Sequence, residues 1–560
     1  MKQMKQKLTL LIWQALQSAL EAGPLQREDL PRIDLEIPKI TAHGDFSTNV
    51  AMTMAASQKR APQEIARIII NHIEDPDHLL SKSEVAGPGF INFFIAQNKW
   101  HEVLKAVHEE DTAYGTSQMG LGKRVQIEFL SANPTGPLHV GHGRCAVVGD
   151  TLAAVLKAAG YEVEKEYYVN DSGRQIRTLG ESVFVRYQQL LGKTLDLPAE
   201  NYQGSYIKDL ARILLDQEGE RLLDMLEEEA VTLCARFAAM KILEGIREDL
   251  VAFGVSFGHW FSEQSLYDSG AIQAVIQDLK TQDIIYEHDG ALWFRTKDFG
   301  DEKDRVVVRA NGLTTYFASD IAYHKDKFER KFDRILDIWG ADHHGYVPRI
   351  SASIQAFGYD KDRFQVLLVQ LVNLLRDGKP VTMSTRAGEF VTLRDVIEEV
   401  GRDAARFLFL LRHYESPLDF DLELAKKQSS DNPVYYVQYV HARVSNILKK
   451  AEERGYKDIA WHDDFSRILT LPEEIQLIKL MARYPEVVGR SARLMEPHRI
   501  PFYMKELAAA FHAYYHDRNK HKVVSDDAKL SAARLCLVSA VRIIISNGLA
   551  LMGVSAPERM

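Results

Sequence analysis

Hydrophobic residues recur at helical spacing near the start of the chain. Leu8, Leu11, Ile12, Ala15 and Leu16 lie on one side of a 3.6-residue spiral, and polar residues occupy the other side. The pattern predicts an amphipathic helix of a folded domain rather than a cleaved leader, because no continuous apolar stretch precedes a small-residue cleavage site. GPGFINFFI (87–95) instead predicts a buried strand. A polar stretch then marks a boundary, so we expect residues 1–115 to form a separate α+β unit.

The next pattern is a strand, a loop, a helix and a strand. RVQIEFL (124–130) is rich in branched and aromatic residues, AVVGDTLAAVLKAAG (146–160) has helical spacing, and YEVEKEYYVND (161–171) again predicts a strand. This order is typical of the first unit of a doubly wound parallel sheet. Residues 190–250 are rich in Leu, Glu, Lys and Ala and predict helices inserted after that unit.

The β pattern returns between residues 283 and 345. Residues 284–295 predict a hairpin, residues 305–317 predict a second hairpin, and RILDIWGADHH (334–344) predicts a buried strand that ends in polar side chains. After about residue 400 the pattern is helical almost to the end. The chain therefore combines an α/β core with a helical C-terminal region.

Composition narrows the class of protein. The chain is 46% hydrophobic and 26% charged, which is ordinary for a soluble globular protein, and no apolar run approaches the roughly 20 residues of a membrane span. Three scattered cysteines (Cys145, Cys234 and Cys536) indicate a reducing compartment without disulfides. The net charge is −9, yet residues 441–560 carry 19 Lys and Arg against 14 Asp and Glu. That basic excess favours a nucleic-acid surface or is chance variation of solvated charge.

SANPTGPLHVGHGR (131–144) carries the strongest chemical signal. It follows a predicted strand and leads into a helix N-terminus, which is a favourable place for phosphate. Pro137 stiffens the approach, and Gly141 lets the backbone come close to a flat ligand. His139 and His142 are three residues apart, so their imidazoles face one side and can donate hydrogen bonds to phosphate oxygens.

These residues identify a resemblance. ANPTGPLHVGH (132–142) resembles the HIGH signature of class I aminoacyl-tRNA synthetases. The second signature of those enzymes, KMSKS, is matched by VTMSTRAG (381–388), in which Met383 and Ser384 fit but Thr382 and Thr385 stand in place of both lysines. We expect Arg386 or Lys379 to supply the cation that holds the leaving pyrophosphate.

The wider resemblance is to arginyl-tRNA synthetases, through YYVNDSGRQI, WGADHHGYVPR, MSTRAGEFVTL, NPVYYVQYVHARV and LALMGVSAPERM. It implies a Rossmann-like α/β catalytic domain with an N-terminal α+β domain and an all-helical C-terminal domain. It divides the chain into a tRNA-elbow domain (1–115), a catalytic domain (116–400, with the helical insertion at about 190–250), a connecting segment (401–435) and an anticodon-binding domain (436–560). The implied reaction activates L-arginine with Mg-ATP and transfers it to tRNA(Arg). The resemblance also implies a cytoplasmic monomer with no tightly held metal.

The resemblance assigns site residues. A guanidinium needs planar carboxylate partners, which Glu128 and Asp320 can provide. The implied catalytic residues are His139, His142, Met383, Ser384 and Arg386; those for arginine are Glu128, Ser131, Asn133, His142, Tyr316 and Asp320. The implied residues for ATP are Pro137, His139, Gly141, His142, Gly340, Asp342 and His343; those for tRNA are Asn49, Tyr439, Arg443 and Tyr515.

Other interpretations compete with these assignments. The HxxH pair and Asp342-His343-His344 could bind metals in a phosphoesterase, and the replaced lysines would suit a tRNA-binding paralogue without catalysis. Asp320 could simply cap a helix that begins at Ile321. His512, His516 and His521 could bind metal, although solvated or RNA-facing side chains fit better. We expect most of the C-terminal tyrosines to be buried in the core, namely Tyr435, Tyr436, Tyr439, Tyr514 and Tyr515.

Overall fold

The structure is a computed structural model that describes residues 1–26, 30–381, 391–457, 459–517 and 519–560. The N-terminal domain places helices against an antiparallel three-stranded sheet of order β1-β3-β2. Both the amphipathic helix and the strand predicted there are confirmed, since Leu8, Ile12 and Leu16 are fully buried and Phe90–Ile95 is the central strand. The elements are α1 (Lys2–Glu21), β1 (Phe46–Thr48), α2 (Val50–Gln58), α3 (Pro62–Asn71), β2 (Leu80–Ala86), β3 (Phe90–Ile95) and α4 (Gln97–Glu110).

The central domain, which the sequence resemblance predicts to be catalytic, is built on a five-stranded parallel sheet of order β11-β10-β4-β5-β6. The predicted doubly wound α/β class is therefore confirmed. Its elements are β4 (Arg124–Phe129), α5 (Val140–Ala158), β5 (Glu162–Val169), α6 (Gly173–Leu190), α7 (Ser205–Glu218), α8 (Glu227–Phe253), β6 (His259–Ser262), α9 (Gln264–Asp268), α10 (Ala271–Thr281), β7 (Ile285–His288), β8 (Ala291–Phe294), β9 (Arg305–Val308), α11 (Tyr316–Glu329), β10 (Arg334–Gly340), α12 (Val347–Ala356) and β11 (Phe364–Val369).

Helices cover both faces of this sheet. α5 packs closely on one face, where a Cβ at Gly149 would lie 2.2 Å from the Phe129 ring, so only glycine fits there. On the other face α11 and α12 form a second apolar cluster with Ile335 of β10, whereas Leu336 and Ile338 belong to the first cluster. Because neighbouring residues of a strand point to opposite faces, β10 contributes to both cores, as a buried parallel strand should.

One predicted hairpin is confirmed and the other is confirmed in part. β7 and β8 pair as an antiparallel hairpin, as residues 284–295 indicated. β9 pairs with β8 on one side, and after the turn at Gly312 the chain also runs back along β9, where the backbone N–H of Thr315 donates to the carbonyl oxygen of Val307 at 2.9 Å. Branched residues followed by Asn-Gly therefore predicted this turn correctly. The returning arm is too short to be a strand, because its pairing is the isolated bridge between Val308 and Thr314 and α11 begins directly afterwards.

After β11 the described part of the chain is helical except for a small three-stranded sheet of order β13-β12-β14. Its central strand is β12, so the apolar run 364–375 supplies strands to two different sheets. The elements are β12 (Val372–Arg376), β13 (Lys379–Pro380), α13 (Leu393–Val400), α14 (Arg402–Phe409), β14 (Leu418–Asp421), α15 (Leu422–Lys426), α16 (Pro433–Glu452), α17 (Phe465–Ile468), α18 (Pro472–Leu494), α19 (Arg499–His516) and α20 (Ala528–Leu551).

The terminal helix α20 is the one helix among the described residues that is long and apolar enough to span a membrane. Its apolar window has a mean hydropathy of 1.6, but 67% of that window is buried inside the protein. It lies against α16, α18 and α19, and it also contacts α4 of the N-terminal domain. These contacts are those of the core helix of a helical domain.

The N-terminal and helical domains are joined by polar contacts. The ring of His101, on α4, contacts the carbonyl oxygen of Leu469 at 2.8 Å, and His108 contacts that of Cys536 at 2.9 Å. Lys5 pairs with Glu486 at 2.8 Å. The first and last parts of the chain therefore form one continuous body around the catalytic domain.

Candidate active site

The loop after β4 begins with a sharp turn. Leu130 and Ser131 have φ angles of +73° and +39°, in the left-handed region that residues other than glycine seldom adopt. The hydroxyl group of Tyr167, on β5, donates to the carbonyl oxygen of Ala132 at 2.8 Å and helps to hold the turn. The loop thereby leaves the carboxyl end of the central strand and crosses to α5, where an open α/β sheet places its ligand.

His139 and His142 cap the start of α5. The backbone N–H of Gly141 donates to Nδ1 of His139 at 3.1 Å, and the backbone N–H of His139 donates to Nδ1 of His142 at 3.2 Å. The two rings stack with centroids 3.7 Å apart and planes 18° apart, so they share one side as predicted. Because Nδ1 accepts in both rings, the proton of each neutral imidazole lies on Nε2, which is then a donor.

Both imidazoles are held neutral. Burial lowers the pKa of His139, and it lowers the pKa of His142 to about 3, with a further contribution from the neighbouring His139. Gly141 allows this packing, because a Cβ there would lie 3.1 Å from the His139 ring. The imidazole of His139 therefore lies in the space beside Gly141 that the sequence assigned to a ligand.

The segment that follows the second signature is fixed to this loop. The backbone N–H of Leu393 donates to the carbonyl oxygen of Leu138 at 2.7 Å, and Thr392 forms an isolated bridge with His139. Thr392 also caps α13 through a reciprocal contact with Asp395. Met383, Ser384 and Arg386 lie outside the described residues, so their roles stay predictions. Lys379 is exposed at the start of β13.

Tyr316 and Asp320 occupy successive turns of one helix. α11 begins at Tyr316 with Thr315 as its N-cap, so the interpretation of Asp320 as a cap before Ile321 is wrong. Tyr316 is 48% exposed although it is aromatic, and Asp320 is half-buried. The Tyr346 hydroxyl donates to the Asp320 carboxylate. An exposed aromatic ring beside a half-buried acid is typical of a binding site rather than of a hydrophobic core.

The carboxyl group of Asp320 has no Lys or Arg partner among the ion pairs of the described residues. Burial raises its pKa to about 7; His324 lowers it, and the nearby carboxylates of Glu263 and Glu128 raise it. A carboxyl group without a paired positive charge is stabilised when a cation binds to it.

Glu263 is a site residue that the sequence patterns did not reveal. It follows β6, is only 2% exposed, and accepts from the Ser319 hydroxyl at 2.7 Å and from the Asn170 amide at 2.7 Å. Burial raises the pKa of Glu263. The described part of the chain gives it no Lys or Arg partner either. Its signal in the sequence was a carboxylate directly after a short aromatic strand, WFSE, which becomes informative only once β6 is known to join the sheet.

Glu128 lies where the sequence predicted, but its oxygens are already engaged. Lys327 donates to Oε2 at 2.5 Å and to Asp337 Oδ1 at 2.7 Å, while the Ser131 hydroxyl donates to Glu128 Oε1 at 2.8 Å. His324 contacts the other oxygen of Asp337 at 3.0 Å. Burial alone would raise the pKa of Asp337, but Lys327 and His324 hold it below its usual range. A direct contact between Glu128 and arginine remains a prediction, and this geometry favours an indirect role.

Asn133 and the next loop border the same space. The Asn133 amide donates to the Gln175 side chain at 2.7 Å, which links the first loop to α6. A Cβ on Gly173, at the start of α6, would lie 4.0 Å from the Tyr316 hydroxyl. The loops after β4 and β5 and the first turn of α11 therefore face one another.

Gly340 ends β10, the neighbour of β4 in the sheet, and Asp342 and His343 follow it. Both Asp342 and His343 are exposed, and their side chains approach to 3.6 Å. Asp342 also lies close enough to α5 to raise the pKa of Cys145, an effect added to that of burial. Asp342 therefore lies near the helix that follows the HIGH-like loop (132–142), and the contact of the three residues with ATP stays a prediction.

The residues predicted to bind tRNA lie in the two outer domains. Asn49 is exposed at the N-cap of α2. The Arg443 guanidinium lies over the Tyr439 ring, 4.8 Å from its centroid, and over the Tyr515 ring at 5.4 Å. The expectation that most C-terminal tyrosines are buried is wrong: of the five, Tyr514 is buried and Tyr435, Tyr436, Tyr439 and Tyr515 are half-buried.

The described residues give little support to a metal site. Their one compact group of possible ligands is Glu164, Glu166 and His259, away from the HIGH-like loop, and Arg330 already pairs with both of its carboxylates. Nδ1 of His139 and of His142 each accepts from a backbone N–H, which leaves a donor rather than a ligand pair at the loop.

Comparisons with known proteins match the whole chain. Residues 6–95 match the arginyl tRNA synthetase N-terminal domain, residues 103–412 the catalytic domain of class I (R) tRNA synthetases, and residues 437–560 the DALR anticodon binding domain. Arginine–tRNA ligases of Desulfosudis oleivorans and of a Geobacter species are 57% and 51% identical, with full coverage of both chains. The structure of the Thermus thermophilus arginyl-tRNA synthetase is similar in fold, with a TM-score of 0.76 at 22% identity, over 99% of this chain and all of that one.

Proposed function

This chain belongs to the arginine–tRNA ligases, the class I arginyl-tRNA synthetases, and from its site we propose how it binds arginine and activates it. The reaction joins L-arginine to tRNA with ATP as the energy source. One observation carries the proposal: among the described residues, the half-buried carboxyl group of Asp320 and the buried one of Glu263 have no Lys or Arg partner, and they lie in the same domain as the HIGH-like loop with its neutral histidines.

Asp320 and Glu263 bind the guanidinium group. Neither acid has a Lys or Arg partner in the described part of the chain, and a planar cation can pair with two carboxylates at once. Tyr316 covers the pocket with its exposed ring. Asn133 and Ser131 lie on the loop that turns toward the phosphates, which suits contacts with the α-amino end of arginine. An arginine held this way has its own carboxylate directed toward the HIGH-like loop.

The first step forms arginyl-adenylate from arginine and Mg-ATP. A carboxylate oxygen of arginine attacks the α-phosphorus, the bond from that phosphorus to the bridging oxygen of the β-phosphate breaks, and pyrophosphate leaves. His139 and His142 donate from Nε2 to phosphate oxygens on which charge develops. Because both rings are neutral and accept at Nδ1, each has one N–H to donate, and it lies at Nε2. Positioning and electrostatics suffice, so no side chain acts as a covalent nucleophile.

The second step transfers the amino acid. A hydroxyl group of the terminal ribose of tRNA attacks the carbonyl carbon of the adenylate, the bond from that carbon to the phosphate oxygen breaks, and AMP leaves. Gly340, Asp342 and His343 border the nucleotide in this proposal. Arg386 or Lys379 holds the departing pyrophosphate in place of the two lysines that the second signature lacks.

The outer domains are proposed to position the tRNA. Asn49 of the N-terminal domain faces the tRNA elbow, and Tyr439, Arg443 and Tyr515 form a platform for unpaired bases of the anticodon loop. The exposed edges of the rings and the guanidinium stacked on them support this role. We also propose that the enzyme acts as a cytoplasmic monomer and that adenylation needs bound tRNA.

The test is attachment of each amino acid to tRNA with ATP present. We expect arginine alone to be attached, with release of AMP and pyrophosphate in equal amounts. ATP–pyrophosphate exchange at full rate without tRNA would contradict the proposed need for tRNA. Tight tRNA binding without attachment would favour an inactive paralogue, and metal-dependent phosphodiester hydrolysis would favour a phosphoesterase. Nothing in the described site favours either alternative over the ligase.

A further inference from the structure

Lys327 is a fully buried cation of the catalytic domain, and it lies on the helix that carries Asp320. Its side chain is fully buried, and its ammonium group contacts Glu128 on β4 and Asp337 on β10. Neither acid is among those proposed to bind the guanidinium. A fully buried ion group of this kind is costly unless every charge is paired, so its retention points to a purpose besides stability.

Lys327 connects the helix that carries the pocket to the sheet. It lies on α11 seven residues after Asp320, which is two helical turns on the same side. His324, one turn before it, contacts the carbonyl oxygen of Asp320 at 2.8 Å through Nδ1 and Asp337 through Nε2. The position of Asp320 and Tyr316 relative to the strand ends therefore depends on Lys327, His324 and Asp337.

Lys327 also connects the helix to the turn before the HIGH-like loop. Glu128 uses one oxygen for Lys327 and the other for the Ser131 hydroxyl. Ser131 has a φ of +39°, and its Oγ accepts from the backbone N–H of Tyr168 at 3.1 Å. A strained turn of this kind persists only where its surroundings fix it. Lys327, Glu128 and Ser131 thus form one chain of contacts from α11 to the loop.

We propose that Lys327 is a positioning residue for arginine binding: through Glu128 and Ser131 it fixes the distance between Asp320, the guanidinium acid on α11, and the turn that receives the other end of the amino acid. This rests on the proposed function of the pocket. Lys327 does not touch substrate in this account. Its loss changes the distance between the contacts for the guanidinium group and those for the α-amino end, and one arginine must reach both.

The experiment compares Lys327→Met with Arg330→Met. The control removes another cation at the end of the same helix, one that pairs with Glu166 and makes no contact with Glu128. Steady-state aminoacylation is measured with saturating tRNA while arginine or ATP is varied, and circular dichroism reports folding. We expect Lys327→Met to raise the KM for arginine by about tenfold or more and that for ATP by less than about threefold. Arg330→Met should leave both KM values within about threefold.

A second variant keeps the test decisive if Lys327→Met folds poorly. Lys327→Met with Glu128→Gln removes one positive and one negative charge together, so the buried net charge returns to that of the parent. We expect the double variant to unfold at a higher temperature than the single variant, while its KM for arginine stays raised because Ser131 is still not connected to α11. An arginine KM restored to the parent value would overturn the positioning role, since charge alone would then explain the single variant.

Failure of this proposal differs from failure of the pocket assignment. If Asp320→Asn raises the KM for arginine and Lys327→Met raises neither KM, the pocket stands and the role of Lys327 is wrong. If Asp320→Asn has no effect on arginine, the pocket itself is misplaced and Lys327 has no arginine site to position. Equal increases in the KM for arginine and for ATP after Lys327→Met would also overturn the proposal, because they would indicate general damage.

Discussion

Two groups of buried carboxylates on one sheet behave in opposite ways. Glu128 and Asp337 share Lys327, and Glu166 pairs with Arg330. Asp320 and Glu263, beside the same sheet, have polar partners such as Tyr346 and Ser319 but no Lys or Arg among the described residues. The first group has its basic partners within the described residues, whereas we propose that the second receives its cation from arginine.

This difference distinguishes acids that hold the fold together from acids that are free to bind a substrate cation. A buried acid with a basic partner is stable only as a pair, so it holds elements together. A buried acid without one has a raised pKa and costs free energy in the folded state. In our proposal this cost is offset when the guanidinium group of arginine binds. The specificity for arginine would then come from a charge that the protein leaves unbalanced.

The largest effect is expected from removing the charge of an acid that has no Lys or Arg partner among the described residues. Asp320→Asn keeps the size of the side chain and removes its charge, so one face of the guanidinium loses its partner. We expect kcat/KM for arginine to fall by about 100-fold or more at saturating ATP and tRNA, and KM for ATP to change by less than about threefold. A fall in kcat/KM for arginine below about threefold would show that Asp320 does not bind the guanidinium.

The second effect is a dependence of arginine binding on pH. Asp320 has a pKa raised from 3.8 to about 7 in the free enzyme, and only its ionised form pairs with the guanidinium. Below about pH 7 arginine must displace a proton, so the KM for arginine should rise by about tenfold for each unit that the pH falls, and it should be level above pH 8. Asp320→Asn should lack this slope. Aminoacylation kinetics between pH 5.5 and 8.5 measure it, and an identical slope in the variant would contradict the assignment.

The same pKa gives a sign for stability. A carboxyl group whose folded-state pKa is raised contributes stability below its unfolded pKa and loses that contribution as the pH rises through about 7. Asp320→Asn should therefore unfold at a higher temperature than the parent at pH 8. The difference should shrink at pH 5, where both side chains are largely uncharged. Thermal unfolding at the two pH values, followed by circular dichroism, checks the direction.

The smallest effect on function is expected from a substitution among the acids that have basic partners. Glu166→Gln removes the fully buried negative charge with which the Arg330 guanidinium pairs, although Glu164 and Asp326 still contact that guanidinium. We expect the unfolding midpoint to fall by about 5 °C or more, while the KM for arginine stays within about threefold. A large change in the KM for arginine with no change in the unfolding midpoint would contradict the distinction between the two groups of acids.

Features that depend on neighbours in the chain were predictable from the sequence. The strand–loop–helix order around residues 124–158 and the shared side of His139 and His142 follow from local spacing, and the structure confirms both. Asp320 was a candidate by resemblance, although its helix begins five residues earlier than the cap interpretation required. Local patterns define an element better than they define its first residue.

Features that depend on distant partners were not predictable. Glu263 follows β6, which joins the sheet next to β5 only after the inserted helices between residues 170 and 258. Lys327 appears in the sequence as one of several lysines on a charged helix, and its burial between Glu128 and Asp337 is visible only in the folded chain. The half-buried tyrosines around Arg443 were assigned to the core because spacing alone cannot show which side of a helix the next helix leaves uncovered.

The most direct test of the central claim compares arginine with citrulline, which has nearly the same shape but no positive charge. The measurement is kcat/KM for attachment of each to tRNA, in the parent enzyme and in Asp320→Asn with Glu263→Gln. If the missing cation is what the pocket recognises, the parent should prefer arginine by at least about 1,000-fold, and the double variant should retain less than about a tenth of that preference. A preference that is equally strong in the double variant would contradict the account.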